Sequence, residues 1–226
     1  MKKKKILIIV AHPDDEILGC GGSIIKFSKN CTIKTIFTCK THDGRNSIKN
    51  SDNNKKRQIT AQKVAKYLKI KNPLFLNYPG LKMNRSDITK MAQSIYDEIL
   101  KFKPNIIFSH CIDDNHHDHR VTAEAVLIAT RPSPKTEFIK NILSMEIPSA
   151  SERLFSRKKS FKPNYFIDIE ATYKKKLELL SKFYTKELLP YPNSRSLKSI
   201  KTLIEHRGNL VNLKFAEAFE IIRIIQ

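Results

Sequence analysis

Two short segments of the chain concentrate the residue types that bind metals and move protons. Residues 12–16 read HPDDE, and residues 115–119 read NHHDH. Imidazole and carboxylate groups are the usual protein ligands of catalytic zinc, which binds three of them and keeps a position open for water and substrate. A further carboxylate beside such a metal can take the proton of the attacking water. Two histidines and one carboxylate drawn from these segments therefore predict a catalytic metal site.

Each segment also allows a simpler interpretation. Asp14 and Asp15 could merely cap a following helix, and the histidines of residues 116–119 could form a surface loop. Taken singly, neither segment establishes a site. Their occurrence together at the ends of two predicted strands favours the catalytic interpretation.

The elements that must position these segments alternate between strand and helix. Residues 6–10 form a continuous apolar run that predicts a strand buried on both faces. The remaining elements of this half are strands over 33–39, 74–78 and 105–109, helices over 15–29, 55–70, 86–102 (with Ser86 as cap) and 119–129, and a loop over 41–54 with a turn at 42–44. This alternation predicts an α/β fold, a Rossmann-like doubly wound, mostly parallel sheet with helices on both faces. Ligands of such sheets bind beyond the carboxyl ends of the strands, where both segments fall.

The second half of the chain is less regular. It predicts strands over 143–147 and 165–169, helices over 172–183 and 196–207, a structured loop over 188–196, and a closing strand over 215–224 in preference to a helix. The chain shows no internal repeat and no Pro/Gly/Ser-rich linker. We therefore expect a single domain over 1–226.

The composition is strongly basic, with 42 Lys plus Arg against 22 Asp plus Glu and a net charge of +20. Such a charge would suit a nucleic-acid partner. However, only ten of the basic residues are Arg, the residue that dominates base readout, and the Lys residues are spread along the whole chain. A general bias towards Lys is the favoured explanation, and no nucleic-acid partner is expected.

Cysteine usage and apolar runs indicate the compartment. The four cysteines form no CxxC pair, and three of them lie in or beside apolar runs, which favours reduced thiols and a cytoplasmic protein. The basic start followed by residues 6–10 imitates a secretory leader, but this apolar run ends at Ala11 and lacks a cleavage site. No apolar run approaches the ~18 residues of a membrane span.

Residues 10–22, VAHPDDEILGCGG, resemble the first motif of the PIG-L-type (LmbE-like) de-N-acetylase family. Residues 116–119 resemble its second motif, usually His-Pro-Asp-His, with His117 in the proline position. Weaker similarity continues through 146–149, 161–169, 194–196, 207–208 and 215–219, so the resemblance covers most of the chain.

The resemblance implies hydrolysis of the acetamide of an N-acetylated amino sugar, or of its nucleotide-, lipid- or glycoside-linked conjugate. It implies one divalent metal, usually Zn²⁺, with Fe²⁺ or another divalent ion as an alternative. The implied ligands are His12, Asp15 and His119, and the implied general base is Asp14. A small-molecule substrate is the expected partner, and a homo-oligomer is left open.

Two further residues receive roles from the resemblance. His116 would stabilise the tetrahedral oxyanion or protonate the leaving amine. Asp118 would orient either His116 or a metal ligand. The reaction needs an activated water, charge stabilisation at the carbonyl oxygen and a proton for the departing nitrogen, and this set of residues can supply all three.

Candidate substrate contacts are Arg57, Glu146 and Arg195. The chain departs from the family at Thr60, where a Glu is usual, and at Gly80, where an Asp is frequent. Both departures fall on the expected substrate side. Two rival functions remain: an iron oxygenase with two histidines and one carboxylate, and a basic nucleic-acid-binding module.

Overall fold

A computed structural model describes residues 3–41, 50–151 and 161–226, and the side chains of residues 50–52 are not described. Seven strands form one sheet in the order β3-β2-β1-β4-β5-β7-β6. The strands are β1 (Lys5–Val10), β2 (Thr32–Cys39), β3 (Leu74–Tyr78), β4 (Ile106–His110), β5 (Asn141–Met145), β6 (Tyr165–Asp168) and β7 (Ala216–Ile224). Strands β1 to β5 are parallel, and β7 runs antiparallel to both β5 and β6.

Within the described ranges, six α-helices cover the two faces of the sheet: α1 (Asp15–Phe27), α2 (Asn50–Tyr67), α3 (Arg85–Phe102), α4 (His117–Ala129), α5 (Tyr173–Phe183) and α6 (Leu197–Asn209). Buried apolar residues of α1, α2, α5 and α6 pack on one face, and those of α3 and α4 pack on the other. The α/β class and the doubly wound, mostly parallel sheet are thereby confirmed.

Strand β1 is central because both of its faces are buried. Ile6, Ile8 and Val10 enter one core, while Leu7 and Ile9 enter the other. Burial of each such side chain contributes about 1.5–3 kcal/mol. A strand buried in this way is fixed in register, so the residues that follow Val10 leave the sheet at a defined point.

The order of the strands reverses between β1 and β4. Chain connections lead from β1 outward to β2 and β3, whereas β4 lies on the opposite side of β1. This switch point creates a crevice beyond the carboxyl ends of β1 and β4. We call residues 11–16 the β1 segment and residues 111–120 the β4 segment, and both border this crevice.

Several element boundaries differ from those predicted. Helix α2 starts at Asn50, inside the predicted loop. The prediction missed its first turns because they are polar and lack the apolar periodicity that would mark a helix. Helix α3 is capped by Asn84 rather than Ser86: Asn84 accepts the backbone N–H of Asp87, whose carboxylate accepts the N–H of Asn84. The closing strand is confirmed as β7. The predicted turn at 42–44 lies outside the described residues.

The described helices also bear on membrane crossing. None of them combines the length and the apolar composition that a bilayer-spanning segment needs.

Candidate active site

Asp14 lies at the sharp bend between β1 and α1. Its φ of 121° is a backbone conformation that non-glycine residues rarely adopt, at a cost of order 1–3 kcal/mol. Its side chain makes no capping bond to α1. Instead, its two carboxylate oxygens accept from Arg57 at 2.8 Å and from Arg195 at 2.5 Å. The interpretation of Asp14 as a simple helix cap therefore does not hold.

Glu16 stabilises the strained bend through hydrogen bonds to both of its carboxylate oxygens. Its Oε2 accepts the backbone N–H of Asp14 at 2.9 Å, and its Oε1 accepts the hydroxyl of Tyr184 at 2.5 Å. Burial raises the pKa of Glu16 to about 8 and raises the pKa of Tyr184 well above its usual value. The bend is thus tied to the end of α5, far away in sequence.

The β4 segment is organised largely by its own residues. Asp114 accepts the backbone N–H of His116 at 2.8 Å, and His116 Nδ1 accepts the N–H of Asp118 at 3.2 Å, which makes His116 the cap of α4. Arg120 donates to the carbonyls of Asp114 and Asn115 at 2.8 and 2.6 Å. These short-range bonds present the His116 ring towards the crevice.

The two segments bring metal-binding atoms together in the crevice. Among the residues that the structure describes, two sets of three have ligand atoms that all lie within 4.8 Å of one another: His12, His116 and His119, and Asp15, His110 and His119. The predicted ligands His12, Asp15 and His119 are divided between these sets, with His119 in both. Asp15 Oδ2 joins them, since it lies 3.6 Å from His12 Nδ1 and 3.5 Å from His119 Nε2.

These spacings fit a zinc ion. Ligand atoms bonded to one tetrahedral zinc at ~2.1 Å lie ~3.4 Å apart. The distances from Asp15 Oδ2 to a nitrogen of His12 and of His119 are close to this value, whereas nitrogens of His12 and His119 come within 4.8 Å of each other in the set that includes His116. Two imidazoles and one carboxylate also form a donor set that zinc accepts, so the residues present fit the metal that the motifs imply.

His110 also approaches Asp15, with its Nε2 3.5 Å from Oδ2. That nitrogen accepts the backbone N–H of Ala11 at 2.8 Å, so its lone pair is already used. Burial lowers the pKa of His110 to about 4, with the nearby His119 as a smaller cause. His110 is therefore a neutral residue that supports the site by packing its ring on His119, at 3.9 Å between centroids.

Carboxylates contact the two candidate histidine ligands at the ring nitrogen that points away from Asp15. Asp118 Oδ2 lies 2.9 Å from His12 Nε2, while its Oδ1 accepts the backbone N–H of Leu81 at 2.7 Å. Of the two roles predicted for Asp118, the geometry is that of a partner of His12 rather than of His116. Asp114 Oδ2 lies 3.2 Å from His119 Nδ1, a close charge contact without hydrogen-bond alignment. Sequence reasoning missed Asp114, although it stands only two residues before His116.

The electrostatics favour a positive charge among these groups. Burial alone would lower the pKa of His119, but Asp15 and Asp114 raise it to about 10. Burial likewise opposes protonation of His12, yet the Asp118 and Asp15 carboxylates raise its pKa. The buried carboxylates thus favour a cation here, as a divalent metal would be. His116 differs, because burial, followed by the nearby histidines, lowers its pKa to about 4.

A cavity of about 470 Å³ opens onto these atoms. Its lining includes every predicted ligand and catalytic residue, together with Arg57 and Arg195; the other described lining residues are Thr41, Leu81, Asn115, His117, Ile147, Ser149, Ala150 and Glu187. A neighbouring groove of about 370 Å³ shares Arg57 and Glu187 with the cavity and contains Thr60. The predicted substrate side of the site is therefore an actual opening in the surface.

Glu146 is placed differently from the other predicted substrate contacts. Both of its oxygens accept from the guanidinium of Arg207, at 2.6 and 2.9 Å, and it is not part of the cavity lining. A bidentate pair of this kind engages both oxygens of the carboxylate and fixes its direction. Glu146 accordingly anchors α6 to the end of β5 instead of facing the substrate.

The chain was compared with known proteins. The family model described as GlcNAc-PI de-N-acetylase, PIG-L, matches residues 7–130. An uncharacterised deacetylase of Escherichia coli strain K12, YaiS, is 26% identical over 177 residues, which cover 76% of this chain and 85% of that protein. The match of the family model spans the whole of the β1 and β4 segments.

Solved structures share the fold at low sequence identity. The N,N'-diacetylchitobiose deacetylase of Pyrococcus horikoshii superposes with a TM-score of 0.77 at 19% identity, covering 98% of this chain and 85% of that one. The 4-carboxy-2-hydroxymuconate hydratase GalB of Pseudomonas putida superposes with a TM-score of 0.74 at 16% identity, covering 99% and 98%.

A doubly wound α/β sheet with a histidine and carboxylate cluster at its switch point defines the class of protein. The chain belongs to the PIG-L, or GlcNAc-PI de-N-acetylase, family.

Proposed function

We propose that this chain is a zinc-dependent N-deacetylase that hydrolyses the acetamide of an N-acetylated amino sugar or its conjugate to a free amine and acetate. One observation carries the proposal: the two segments bring Asp14, Asp15, His12, His116 and His119 to one cavity of suitable size. Membership of a de-N-acetylase family and the similarity to a chitobiose deacetylase support this reaction.

His12, Asp15 and His119 would hold the metal. Bound there, a zinc ion would polarise the amide carbonyl and make the attacking water more acidic. Asp118 and Asp114 would keep the two imidazoles in the ligating orientation.

Asp14 would accept the proton of the attacking water and then return it to the departing amine nitrogen as the C–N bond breaks. Each of its oxygens accepts one guanidinium hydrogen bond, from Arg57 or from Arg195, and each therefore keeps a lone pair for the water. The two arginines fix the direction of the carboxylate and would also meet the oxygen atoms of the substrate at the cavity wall.

His116 would stabilise the oxyanion. Its Nδ1 accepts a backbone N–H, so the proton of the neutral ring is on Nε2. A neutral ring with Nε2–H is a hydrogen-bond donor, which suits the oxyanion of the tetrahedral intermediate. Of the two roles predicted for His116, this one fits its tautomer better than that of a proton donor to the amine.

The decisive experiment replaces Asp14 by Asn and measures both turnover and bound zinc. We expect amine release to fall by about 10²–10⁴-fold, because a general base contributes that much, while one zinc per chain remains bound. Asp113→Asn, a half-buried carboxylate in the neighbouring loop outside the cavity lining, is the matched control and should keep its activity. Full activity in Asp14→Asn would refute the assigned base.

The substrate is tested with a panel of N-acetyl sugars and their glycoside, nucleotide and lipid conjugates. Because the same fold also carries a hydratase, the fold by itself does not set the reaction. Release of free amine identifies a deacetylase, since hydration of a double bond releases none. Zinc-loaded protein that releases no amine from the whole panel would overturn the proposal, and oxygen uptake with ferrous iron would support the oxygenase.

Three further expectations accompany the proposal: one domain over 1–226, a cytoplasmic location, and a small molecule rather than a nucleic acid as partner. Salt-dependent binding to DNA or RNA that survives loss of His12 would contradict the last of these.

A further inference from the structure

Helix α1, which begins at Asp15, is broken near its middle. Cys20 has φ −140° and ψ 26°, outside the helical region. In a regular α-helix each N–H bonds the carbonyl four residues back, so Leu18 would accept from Gly22. The break interrupts this pattern and creates two helical halves.

A buried ion pair fills the break. Glu217, on β7, accepts the backbone N–H of Gly22 at 2.8 Å with one oxygen and that of Ser23 at 2.7 Å with the other. Lys176, on α5, donates to the carbonyl of Leu18 at 2.8 Å and to Glu217 at 2.7 Å. Both charged side chains are 1% exposed.

The signs of the two charges match the two helix ends. A carboxylate faces the free N–H groups that start the second half, where the helix dipole favours an anion. An ammonium faces a carbonyl that ends the first half, where the dipole favours a cation. The pair therefore supplies partners for the N–H groups of Gly22 and Ser23 and for the carbonyl of Leu18 at the break.

The first half of α1 is short and carries the metal-facing groups. It contains Asp15 and Glu16, and Leu18 follows Asp15 by three residues, or ~4.5 Å along the axis. A helical piece of this length does not hold itself together, so its direction depends on the contacts at its two ends. Glu16 and Tyr184 secure one end, and Lys176 secures the other.

We propose that Lys176 and Glu217 are positioning residues of the metal site: they fix the break in α1 and thereby the place of Asp15 beside His12 and His119. Apolar residues of similar volume often replace buried ion pairs without loss of stability, so a role in positioning can be tested separately from a role in stability. The inference rests on the proposed function, since it takes Asp15 as a metal ligand.

The test replaces both residues by methionine, as Lys176→Met with Glu217→Met. Methionine matches both side chains in length and adapts to the space. Leu18, Gly22 and Ser23 then lose their buried partners. The N–H of Gly22 can bond the carbonyl of Leu18, and that of Ser23 the carbonyl of Gly19, which straightens the helix. We expect thermal stability equal to or above that of the parent, together with zinc affinity lowered about tenfold or more and an altered visible spectrum of the Co²⁺-loaded protein.

A second variant and a control complete the test. Glu217→Gln keeps the shape of the side chain but replaces one acceptor oxygen by an NH₂ group. Like the double variant, it should lower zinc affinity. Glu98→Gln breaks the Lys34–Glu98 pair on the other face of the sheet, 2.7 Å long and largely buried, and should leave zinc affinity and the Co²⁺ spectrum unchanged.

The outcomes separate the two proposals. If the parent binds zinc and Asp15→Asn abolishes binding, the metal site stands. A folded double variant with parental affinity and spectrum would then refute the positioning role alone. If both the double variant and Glu217→Gln fail to fold, the pair serves stability and the inference is overturned. If the parent binds no zinc, the proposed function itself fails.

Discussion

The β1 and β4 segments supply similar residue types, but they are held in different ways. Side chains of the β1 segment are held from far away: the contacts of Asp14 with Arg57 and Arg195 span 43 and 181 residues, and that of Glu16 with Tyr184 spans 168. The backbone of the β4 segment is held mostly by its own residues, through Asp114, His116 and Arg120.

The difference separates two sources of catalytic geometry. The backbone of the β4 segment depends mainly on local bonds, although the Ser151 hydroxyl and the Leu81 backbone N–H also donate to its Asp114 and Asp118 carboxylates. The β1 segment, with its strained bend at Asp14, requires the second half of the chain to be folded around it. The most demanding geometry in the site thus depends on residues outside the matched family region, 7–130.

The largest expected effect comes from removing the ligand that the β4 segment contributes. His119→Ala should lower zinc affinity by about a hundredfold or more, because loss of an orienting partner alone costs about 10–100-fold. Zinc titration monitored by a competing chromophoric chelator measures the affinity. His117→Ala, two residues away and in the position of the family's proline, is the control. Equal affinities for the two variants would exclude His119 as a ligand.

A second change tests the remote support of the β1 segment. Tyr184→Phe leaves one oxygen of the buried Glu16 without its donor, so we expect a loss of about 1–3 kcal/mol in unfolding free energy. We also expect kcat to fall by about tenfold with KM little changed, since the displaced group is the base rather than a substrate contact.

The control for Tyr184→Phe is Tyr78→Phe, which removes a part-buried hydroxyl remote from the bend. This hydroxyl lies 3.1 Å from the hydroxyl oxygen of Ser94. The control variant should leave kcat unchanged. Parallel loss of kcat in both variants would indicate a general effect of destabilisation, and the comparison between the two segments would lose its basis.

The smallest effect should come from one local bond of the β4 segment. Arg120→Gln removes donations to two carbonyls, but Asp114 and His116 still hold the backbone. We expect the free energy of unfolding to fall by about 0.5–1.5 kcal/mol and the zinc affinity to fall by less than about threefold. Denaturant unfolding and zinc titration measure both. A tenfold loss of zinc affinity would show that Asp114 and His116 do not hold the backbone of the segment without Arg120.

Prediction from sequence succeeded where the pattern is local or periodic. Alternating apolar runs gave the order of elements and the sheet edge, because strand burial and helix periodicity are written in neighbouring residues. The same reasoning placed His12, Asp15 and His119 in one crevice, since the end of a parallel strand is a topological property.

The rest depends on contacts between distant single residues. Nothing in the sequence around Tyr184 or Lys176 distinguishes them from ordinary residues of an amphipathic element, and the weak family similarity over 215–219 assigns no role to Glu217. Arg57 and Arg195 were expected at the substrate, but their pairing with Asp14 required coordinates. Asp114 offered a signal, as a carboxylate inside a histidine-rich loop, yet spacing alone does not tell an orienting residue from a ligand.

The break in α1 places a buried cysteine where its labelling rate can measure local opening of the helix. Cys20 lies at the break and is 1% exposed, and burial raises the pKa of its thiol well above its usual range. Such a thiol reacts with an alkylating reagent only when the helix opens, so its labelling rate measures the free energy of that local opening. Cys31, half-buried in the connection between α1 and β2, provides an internal reference in the same molecule. Zinc that binds Asp15 should slow labelling of Cys20 more than that of Cys31.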